Sequence, residues 1–158
     1  MNLIIRTFEA NDLPALLPLM EQLGYSHTEH SLISNIEALR NSGGEVFVAE
    51  RKNKIFGCVG AIIDTRLAEG TQGEIVSLVV LEEMRGFGIG KGLVNAAEEW
   101  LFQYADTVRV RANEIRADAR QFYLGMGYEV SKIQVVLSKN VLSKGSLTKE
   151  SVTKKAKP

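Results

Sequence analysis

The chain has 158 residues, of which 45% are hydrophobic and 24% are charged, and its formal net charge at pH 7 is zero. These values predict one globular domain, and no apolar run approaches the roughly 20 residues of a membrane-spanning helix. A single cysteine, Cys58, excludes an internal disulfide. Because Arg6, Glu9 and Asp12 interrupt the first apolar segment, we expect no signal peptide, a cytoplasmic location and no membrane partner.

The charge is unevenly distributed along the chain. Residues 139–158 contain six Lys and one Glu, a net charge of +5, whereas residues 1–138 contain 13 Lys or Arg and 18 Asp or Glu, a net charge of −5. We therefore predict a domain over residues 1–138 and a disordered basic tail over residues 139–158. A mildly acidic domain favours a cationic partner such as an amine, and it does not favour nucleic acid.

The hydrophobic pattern predicts the element order β-α-α-β-β-β-α-β-α-β. Strands are predicted at residues 3–8, 45–50, 55–64, 73–81, 107–111 and 128–137, and the segment 65–72 is predicted to be a loop. Helices are predicted to begin near residues 13, 28, 89 and 115, and to end near residues 23, 42, 104 and 126. Hairpin-linked strands come first and helix-linked strands later, which predicts an α/β (α+β) fold with a mixed sheet and helices on both faces.

Three residues are of types that can act as a nucleophile or a metal ligand, but their sequence surroundings do not favour these roles. Cys58 lies in an apolar run, so we predict a buried small hydrophobe rather than a nucleophile. His27 and His30 are three residues apart, but no third ligand completes a metal site near them. We therefore predict solvated histidines at a helix start, and no metal.

The segment 78–92, L-V-V-L-E-E-M-R-G-F-G-I-G-K-G, joins a predicted strand to a predicted helix through a glycine-rich turn. The first N–H groups of a helix lack internal partners and lie at the positive end of its dipole, so this junction can bind an anion. A Walker A motif fails, because Arg85 and Gly92 replace a required glycine and Ser or Thr. A dinucleotide-binding G-x-G-x-x-G motif is weak, because Lys91 stands at its third glycine.

A third pattern, [R/Q]-x-x-G-x-[G/A], fits Arg85, Gly88 and Gly90, and the later segment A-R-Q-F-Y-L-G-M-G-Y at residues 119–128 is similar to A-x-x-F-Y-x-x-x-G-[FY]. Both motifs, in this order, resemble those of the GNAT (Gcn5-related) N-acetyltransferase superfamily, and the resemblance covers roughly residues 3–137. It implies acetyl transfer from acetyl-CoA to a primary amine of a small molecule, peptide or protein, by direct attack in a ternary complex. A non-catalytic acyl-CoA-binding sensor is the alternative.

The resemblance also assigns roles to individual residues. It implies that a diphosphate binds at residues 85–91 and that the CoA arm pairs with the strand before that loop; the cofactor-binding set is Leu78, Val79, Val80, Arg85, Gly86, Phe87, Gly88, Ile89, Gly90, Lys91, Asn113 and Tyr123. Tyr123 is expected to protonate the departing thiolate, although it could simply pack in a half-buried position. Asn113 could equally be an ordinary turn residue.

Glu74 matches a position that carries a catalytic base in some members, and strand alternation would place it with Val76, Leu78 and Val80 on one apolar face. A solvated glutamate at a strand end is the alternative. The acceptor is expected to contact residues 23–28, 64–72 and 131–136, with Tyr25 and Asp64 as candidate contacts. The last strand is short and permits a homodimer. Arg109 and Arg111 are predicted to face outward.

Overall fold

The computed structural model describes residues 2–112, 117–141 and 153–154. The chain divides into two compact units, residues 1–111 with 152–158, and residues 112–151. Most of the predicted site lies in the first unit, and Tyr123 lies in the second.

The first unit contains most of the regular structure. Its strands are β1 (Ile4–Thr7), β2 (Tyr25–Ser26), β3 (Glu45–Arg51), β4 (Lys54–Arg66), β5 (Gly70–Val80), β6 (Val108–Val110) and β7 (Thr153–Lys154). Its helices are α1 (Leu13–Leu23), α2 (Glu29–Asn41) and α3 (Ile89–Leu101), with short 3₁₀ turns at Ala10–Asp12 and Glu82–Met84. The second unit contains α4 (Ala117–Gly125).

Five strands form a mixed sheet in the order β1-β3-β4-β5-β6, which confirms the predicted fold class. All neighbours are antiparallel except β5 and β6, which are parallel. The polar turn predicted between β3 and β4 is a two-residue turn at Lys52 and Asn53, both with positive φ. Such turns match the twist of the flanking strands, which explains why this hairpin is tight.

Helices cover both faces of the sheet in the first unit. Gly57 and Cys58 are neighbours on β4, so they point to opposite faces. A Cβ atom on Gly57 would lie 3.0 Å from Leu93 Cδ1 of α3. Cys58 instead belongs to a buried core cluster with Leu16 of α1 and Leu32 of α2. Helix α3 thus lies on one face, and α1 and α2 lie on the other.

Two predicted boundaries are wrong. The segment predicted as a loop at residues 65–72 is the end of the β4–β5 hairpin, in which Thr65 pairs with Thr71 and Arg66 with Gly70, where a positive φ closes the turn. Helix α3 ends at Leu101 rather than near residue 104, and Tyr104, predicted to be a core residue of this helix, is exposed.

The strand predicted at residues 128–137, the last β of the predicted order, is absent: these residues have no regular secondary structure. A strand needs a hydrogen-bonded neighbour, and no pairing in the described part of the chain involves them. Their apolar side chains are exposed, including Val135, Val136 and Leu137. In the segment predicted as a basic tail, Thr153–Lys154 pair antiparallel with β2, and residues 142–152 and 155–158 lie outside the described residues.

An ion-pair cluster fixes the start of α1 against the sheet. Arg6 of β1 donates from Nη1 and Nη2 to the two carboxylate oxygens of Asp12, at 2.8 and 2.9 Å, and from Nη2 to Glu50 Oε1 at 2.7 Å. Asp12 is buried, and its carboxylate also accepts a hydrogen bond from the Glu9 N–H at 2.8 Å. The hydrogen bonds from Arg6 hold the pKa of Asp12 below its ordinary value.

We expect Asp12→Asn to lower the free energy of unfolding by about 1–3 kcal/mol, because the partly buried guanidinium of Arg6 loses one of its two carboxylate partners. Since folding depresses the pKa of Asp12, its contribution is present above the unfolded pKa of about 3.9 and is lost as pH falls through the folded pKa. Urea denaturation at pH 7 and across pH 2–4 measures both effects. Asp106→Asn, at an exposed position, is the matched control; equal stability of the two variants at pH 7 would contradict the prediction.

Candidate active site

Strand β5 contains a β-bulge just before the glycine loop. Gly60 of β4 pairs with Val76, and Cys58 pairs with Val79, so two residues of β5, at 77 and 78, oppose one residue of β4. Ser77 has φ of 53°, in the left-handed region that few residues other than glycine adopt. Bulges often lie beside active sites, where they redirect the strand.

The bulge changes which residues of β5 share a face. The prediction that Glu74, Val76, Leu78 and Val80 lie on one face is wrong, because an extra residue shifts the alternation by one. Val79 belongs to the buried cluster beneath α1, together with Cys58. Val80 pairs with Gly57, on the face that α3 covers.

The second edge of β5 is open beyond the bulge. Strand β6 pairs with Gly73, Glu74 and Ile75 only, and in the described part of the chain no strand lies beside residues 76–80 on that side. The Leu81 N–H donates to Phe56 O of β4 at 2.8 Å. Since successive residues alternate their backbone direction, the N–H and C=O groups of Val80 point to the open edge, where the C=O already accepts from Gln22. The N–H side of this edge can pair with the peptide-like arm of CoA, the contact predicted for residues 78–80.

Gln22 at the end of α1 holds the end of β5. Its Nε2 donates to Val80 O at 2.7 Å, and its Oε1 accepts the Glu82 N–H at 3.1 Å. Both atoms of one side-chain amide are therefore occupied by the strand and the turn that follows it. Nothing in the sequence indicated this contact, because Gln22 and Val80 are 58 residues apart.

The glycine loop begins with residues that adopt conformations unfavourable to other residue types. Gly86 and Gly88 have φ of 86° and 81°, and a Cβ on either would meet nothing within 4 Å, so backbone conformation rather than space requires glycine. Gly88 is the N-cap of α3 and accepts the Gly92 N–H at 3.1 Å.

The N–H groups of the first turn of α3 form a cluster of donors. Those of Ile89, Gly90 and Lys91 precede the first internal bond of the helix and have no partner within it. Arg85, Phe87 and Lys91 are exposed beside them. Two cations next to a helix N-terminus fit a diphosphate.

Glu74 is buried, with 7% of its surface exposed, so the alternative of a solvated strand-end glutamate is wrong. Arg109 Nε donates to Glu74 Oε1 at 2.7 Å, and Arg111 Nε lies 3.5 Å from Glu74 Oε2. The predicted apolar surroundings are also wrong, because each carboxylate oxygen has a guanidinium partner. To accept a proton from an amine, Glu74 would have to compete with these ion pairs. Its role as the base stays a prediction.

Arg109 connects three polar side chains of the β-hairpin and does not face outward as predicted. Besides Glu74, it donates from Nη1 to Gln72 Oε1 at 3.0 Å and from Nη2 to Asp64. Burial lowers the pKa of Arg109, but the hydrogen bonds and charges of the two carboxylates outweigh this and raise it overall. Asp64, predicted as an acceptor contact, is thus engaged by Arg109 and by Arg66, which donates to Asp64 Oδ2 at 2.8 Å.

Tyr123 lies on α4, in the second unit, and is half-buried. Its ring contacts those of Phe122 and Tyr128, with centroids at 5.0 and 5.5 Å. Burial raises the pKa of Tyr123 to about 12. The phenol is protonated at neutral pH, as an ordinary tyrosine would be. Asn113 lies outside the described residues.

The other candidate groups have simpler roles. Cys58 is buried, and burial raises the pKa of its thiol to about 12, which confirms a small hydrophobe rather than a nucleophile. His27 is half-buried rather than solvated. Within the described residues no group of three or more His, Cys, Asp and Glu side chains is arranged to hold a metal ion. In the same part of the chain, no helix has the length and apolar character to cross a membrane.

Two of the predicted acceptor segments differ in what they contribute. Residues 23–28 supply Leu23, Tyr25 and His27 to a cavity between α1, α2 and the sheet, which also reaches Ser77 of the bulge. Residues 64–72 form the hairpin end that Arg109 holds. The third segment, residues 131–136, belongs to the second unit.

Comparison with known proteins agrees with this geometry. Residues 11–128 match the acetyltransferase (GNAT) family. The bulged strand, its open edge and the glycine loop at a helix N-terminus all lie within that match. The chain therefore belongs to the GNAT acetyltransferase family.

Among curated proteins, the chain is similar to an uncharacterized N-acetyltransferase of Methanocaldococcus jannaschii, with 30% identity over 135 residues, 83% of this chain and 81% of the relative. Among solved structures, glucosamine-6-phosphate N-acetyltransferase of Arabidopsis thaliana has a TM-score of 0.75 at 21% identity, covering 89% of this chain and 100% of the other. AAC(6')-Iy in complex with the bisubstrate analog CoA-S-monomethyl-acetylneamine has a TM-score of 0.78 at 17% identity, with the same coverage. These two likenesses show the fold.

We expect Glu74→Gln to lower the free energy of unfolding by about 1–3 kcal/mol, because Arg109 and Arg111 lose a charged partner at a buried position. Thermal and urea denaturation measure this change. Glu99→Gln, on the exposed face of α3, is the matched control and should have the stability of the unchanged protein. Wild-type stability of Glu74→Gln would show that the ion pairs contribute little to the attachment of β6.

Proposed function

We propose that the protein transfers an acetyl group from acetyl-CoA to a primary amine, by direct attack of the amine on the thioester. The observation that carries the proposal is the open edge of β5 beyond Ile75, which runs directly into the glycine loop and the start of α3. An extended edge suits the amide groups of the CoA arm, and the donor cluster that follows suits its diphosphate. Family membership supports the same reaction class.

The chain's residues would divide the work as follows. The N–H groups of residues 89–91, with Arg85 and Lys91, bind the diphosphate and fix the position of the donor. The backbone of Val80, at the open edge, orients the CoA arm, and an N–H group of residues 78–80 stabilises the negative charge that develops on the thioester oxygen. Tyr123, whose phenol is protonated at neutral pH, donates its proton to the departing sulfur.

Removal of the amine's proton is the remaining requirement. We retain Glu74 as the proposed base, acting on the acceptor through water, although Arg109 and Arg111 compete for its oxygens. The Glu74→Gln variant also tests this role. If Glu74 is the base, kcat of Glu74→Gln should be lower than that of the unchanged protein by about 100-fold or more. The affinity for acetyl-CoA should not change. A folded variant with the kcat of the unchanged protein would exclude Glu74 as the base and leave it a structural role in the ion pairs.

The second candidate function is an acyl-CoA-binding sensor without turnover. The engagement of both Glu74 oxygens by guanidinium groups favours it, because a protein that only binds acyl-CoA needs no free base. The donor loop and the open edge serve both functions equally. Release of free thiol from acetyl-CoA in the presence of an amine separates the two, since a sensor binds the donor and leaves it intact.

We expect the unchanged protein to bind acetyl-CoA in a calorimetric titration, and we expect Gly88→Glu to abolish binding. The substitution places a side chain on a residue with φ of 81° and adds a negative charge beside the diphosphate site. Gly92→Ala is the control: the Gly92 N–H is already bonded to Gly88 O, and an added Cβ would make ordinary contact, 3.5 Å from Ile5 Cδ1. Absence of binding by the unchanged protein would refute the proposal.

We expect Tyr123→Phe to lower kcat by about 100-fold, because the leaving sulfur loses its proton donor. The affinity for acetyl-CoA should change little, since the ring and its contacts are kept. Tyr128→Phe, which keeps the ring that contacts Tyr123, serves as the control. Thiol release at saturating acetyl-CoA gives kcat, and calorimetry gives Kd; an undiminished kcat in Tyr123→Phe would remove this residue from the mechanism.

A further inference from the structure

The first unit contains a cavity of about 280 Å³ between α1, α2 and the face of the sheet that these helices cover. Its walls are side chains of the buried core, among them Leu16, Leu32, Ile36 and Val46. Ligand pockets in proteins typically measure about 300–1,000 Å³, so this cavity lies just below that range. It can hold a single small group rather than a large ligand.

No Asp, Glu, Lys or Arg is among the described residues that line the cavity. The polar side chains on it are Tyr25, His27, Asn35 and Ser77, and each of these is half-buried or exposed, which places them where the cavity meets solvent, at its mouth. An ammonium or carboxylate inside such a cavity would lose its hydration without gaining a partner. The lining therefore selects an apolar group and rejects a charged one.

His27 lies at the mouth as an uncharged group. Its Nδ1 lies 2.9 Å from Ser31 Oγ and shares a hydrogen bond with that hydroxyl. Burial lowers the pKa of His27 from an ordinary value that is already below 7, so the neutral ring predominates at pH 7. An amine meets an uncharged imidazole here rather than a repelling imidazolium.

The cavity leads to the part of β5 where the proposed chemistry takes place. Val76 and Ser77 line it, and Ser77 is the bulge residue with positive φ. The backbone that follows, at residues 78–80, is the stretch proposed to hold the thioester. A group that fills the cavity would thus place an attached amine at its mouth, next to the bulge.

We propose that this cavity binds the apolar group of the acceptor, so that the protein acetylates a primary amine carried on an uncharged side group about the size of a leucine, methionine or phenylalanine side chain. The inference rests on the proposed function, because it names the acceptor of that same site. Alkylamines and peptides with an apolar first residue both carry a primary amine next to an uncharged apolar group. Polycationic acceptors such as polyamines and aminoglycosides have no such apolar group.

A matched pair of amines tests the proposal. Pentylamine and putrescine have similar length, but one ends in a methyl group and the other in a second ammonium group. We expect kcat/KM, measured by thiol release from acetyl-CoA, to be at least about tenfold higher for pentylamine. Two peptides that differ only in a first residue of Leu or Asp form the second arm, and they distinguish a peptide acceptor from a small amine.

Variants at the mouth show whether this cavity is responsible. Asn35 is exposed on α2, so Asn35→Trp should fold, cover the mouth and lower kcat/KM for the apolar amine by about tenfold, with acetyl-CoA affinity unchanged. Asn35→Ala is the size control and should keep the activity. Where Asn35→Trp does not fold by circular dichroism, Leu39→Phe, which narrows the cavity from a half-buried position, replaces it.

The outcomes separate the two levels of the proposal. Absence of acetyl-CoA binding by the unchanged protein would overturn the proposed function itself. Binding and turnover with putrescine or the Asp peptide preferred would overturn the acceptor class alone. The variant with the blocked mouth could also keep the same preference for apolar amines as the unchanged protein. That result would show that the apolar group binds elsewhere, and it would overturn the inference too.

Discussion

The site depends on one irregularity of the backbone, the extra residue in β5. A regular antiparallel pairing of β4 and β5 would carry the alternation of faces unchanged into the glycine loop. With residues 77 and 78 opposing a single residue of β4, Val79 reaches the core beneath α1 and Val80 turns to the face of α3. The strand thereby parts from β6 and exposes its edge, and the left-handed Ser77 is the local conformational cost of that arrangement.

The ion pairs of Arg109 act at the other end of the same strand. Strand β6 is only three residues long, and it is the parallel partner of β5. Parallel pairing over so few residues provides little stability by itself, so the side-chain bonds from Arg109 to Glu74, Gln72 and Asp64 reinforce it. The point at which β5 and β6 part is therefore well defined: bonded side chains hold the pair on one side of it, and the bulge lies on the other.

Much of this could be predicted from the sequence, and the failures have physical causes. The strands β3 to β5 and helices α1 to α3 follow from periodicity, and the anion-binding junction follows from glycines at the start of a helix. Periodicity does not reveal the bulge, because two apolar residues in succession fit either register. Long-range partners such as Gln22 with Val80, or Arg109 with Glu74, depend on tertiary register. The strand predicted at residues 128–137 had the right residue types but lacked a neighbour.

The two hydrogen bonds from Gln22 to the end of β5 have a consequence for how binding of one substrate would affect binding of the other. Helix α1 lines the cavity proposed for the acceptor through Leu16, Met20 and Leu23, and the same helix contacts the backbone just ahead of the glycine loop through Gln22. A displacement of α1 by an occupant of the cavity would therefore be felt at the donor loop. Thermodynamic linkage makes such coupling reciprocal: the factor by which an amine changes the affinity for acetyl-CoA must equal the factor by which acetyl-CoA changes the affinity for the amine. One side-chain amide would thus carry the cooperativity between donor and acceptor.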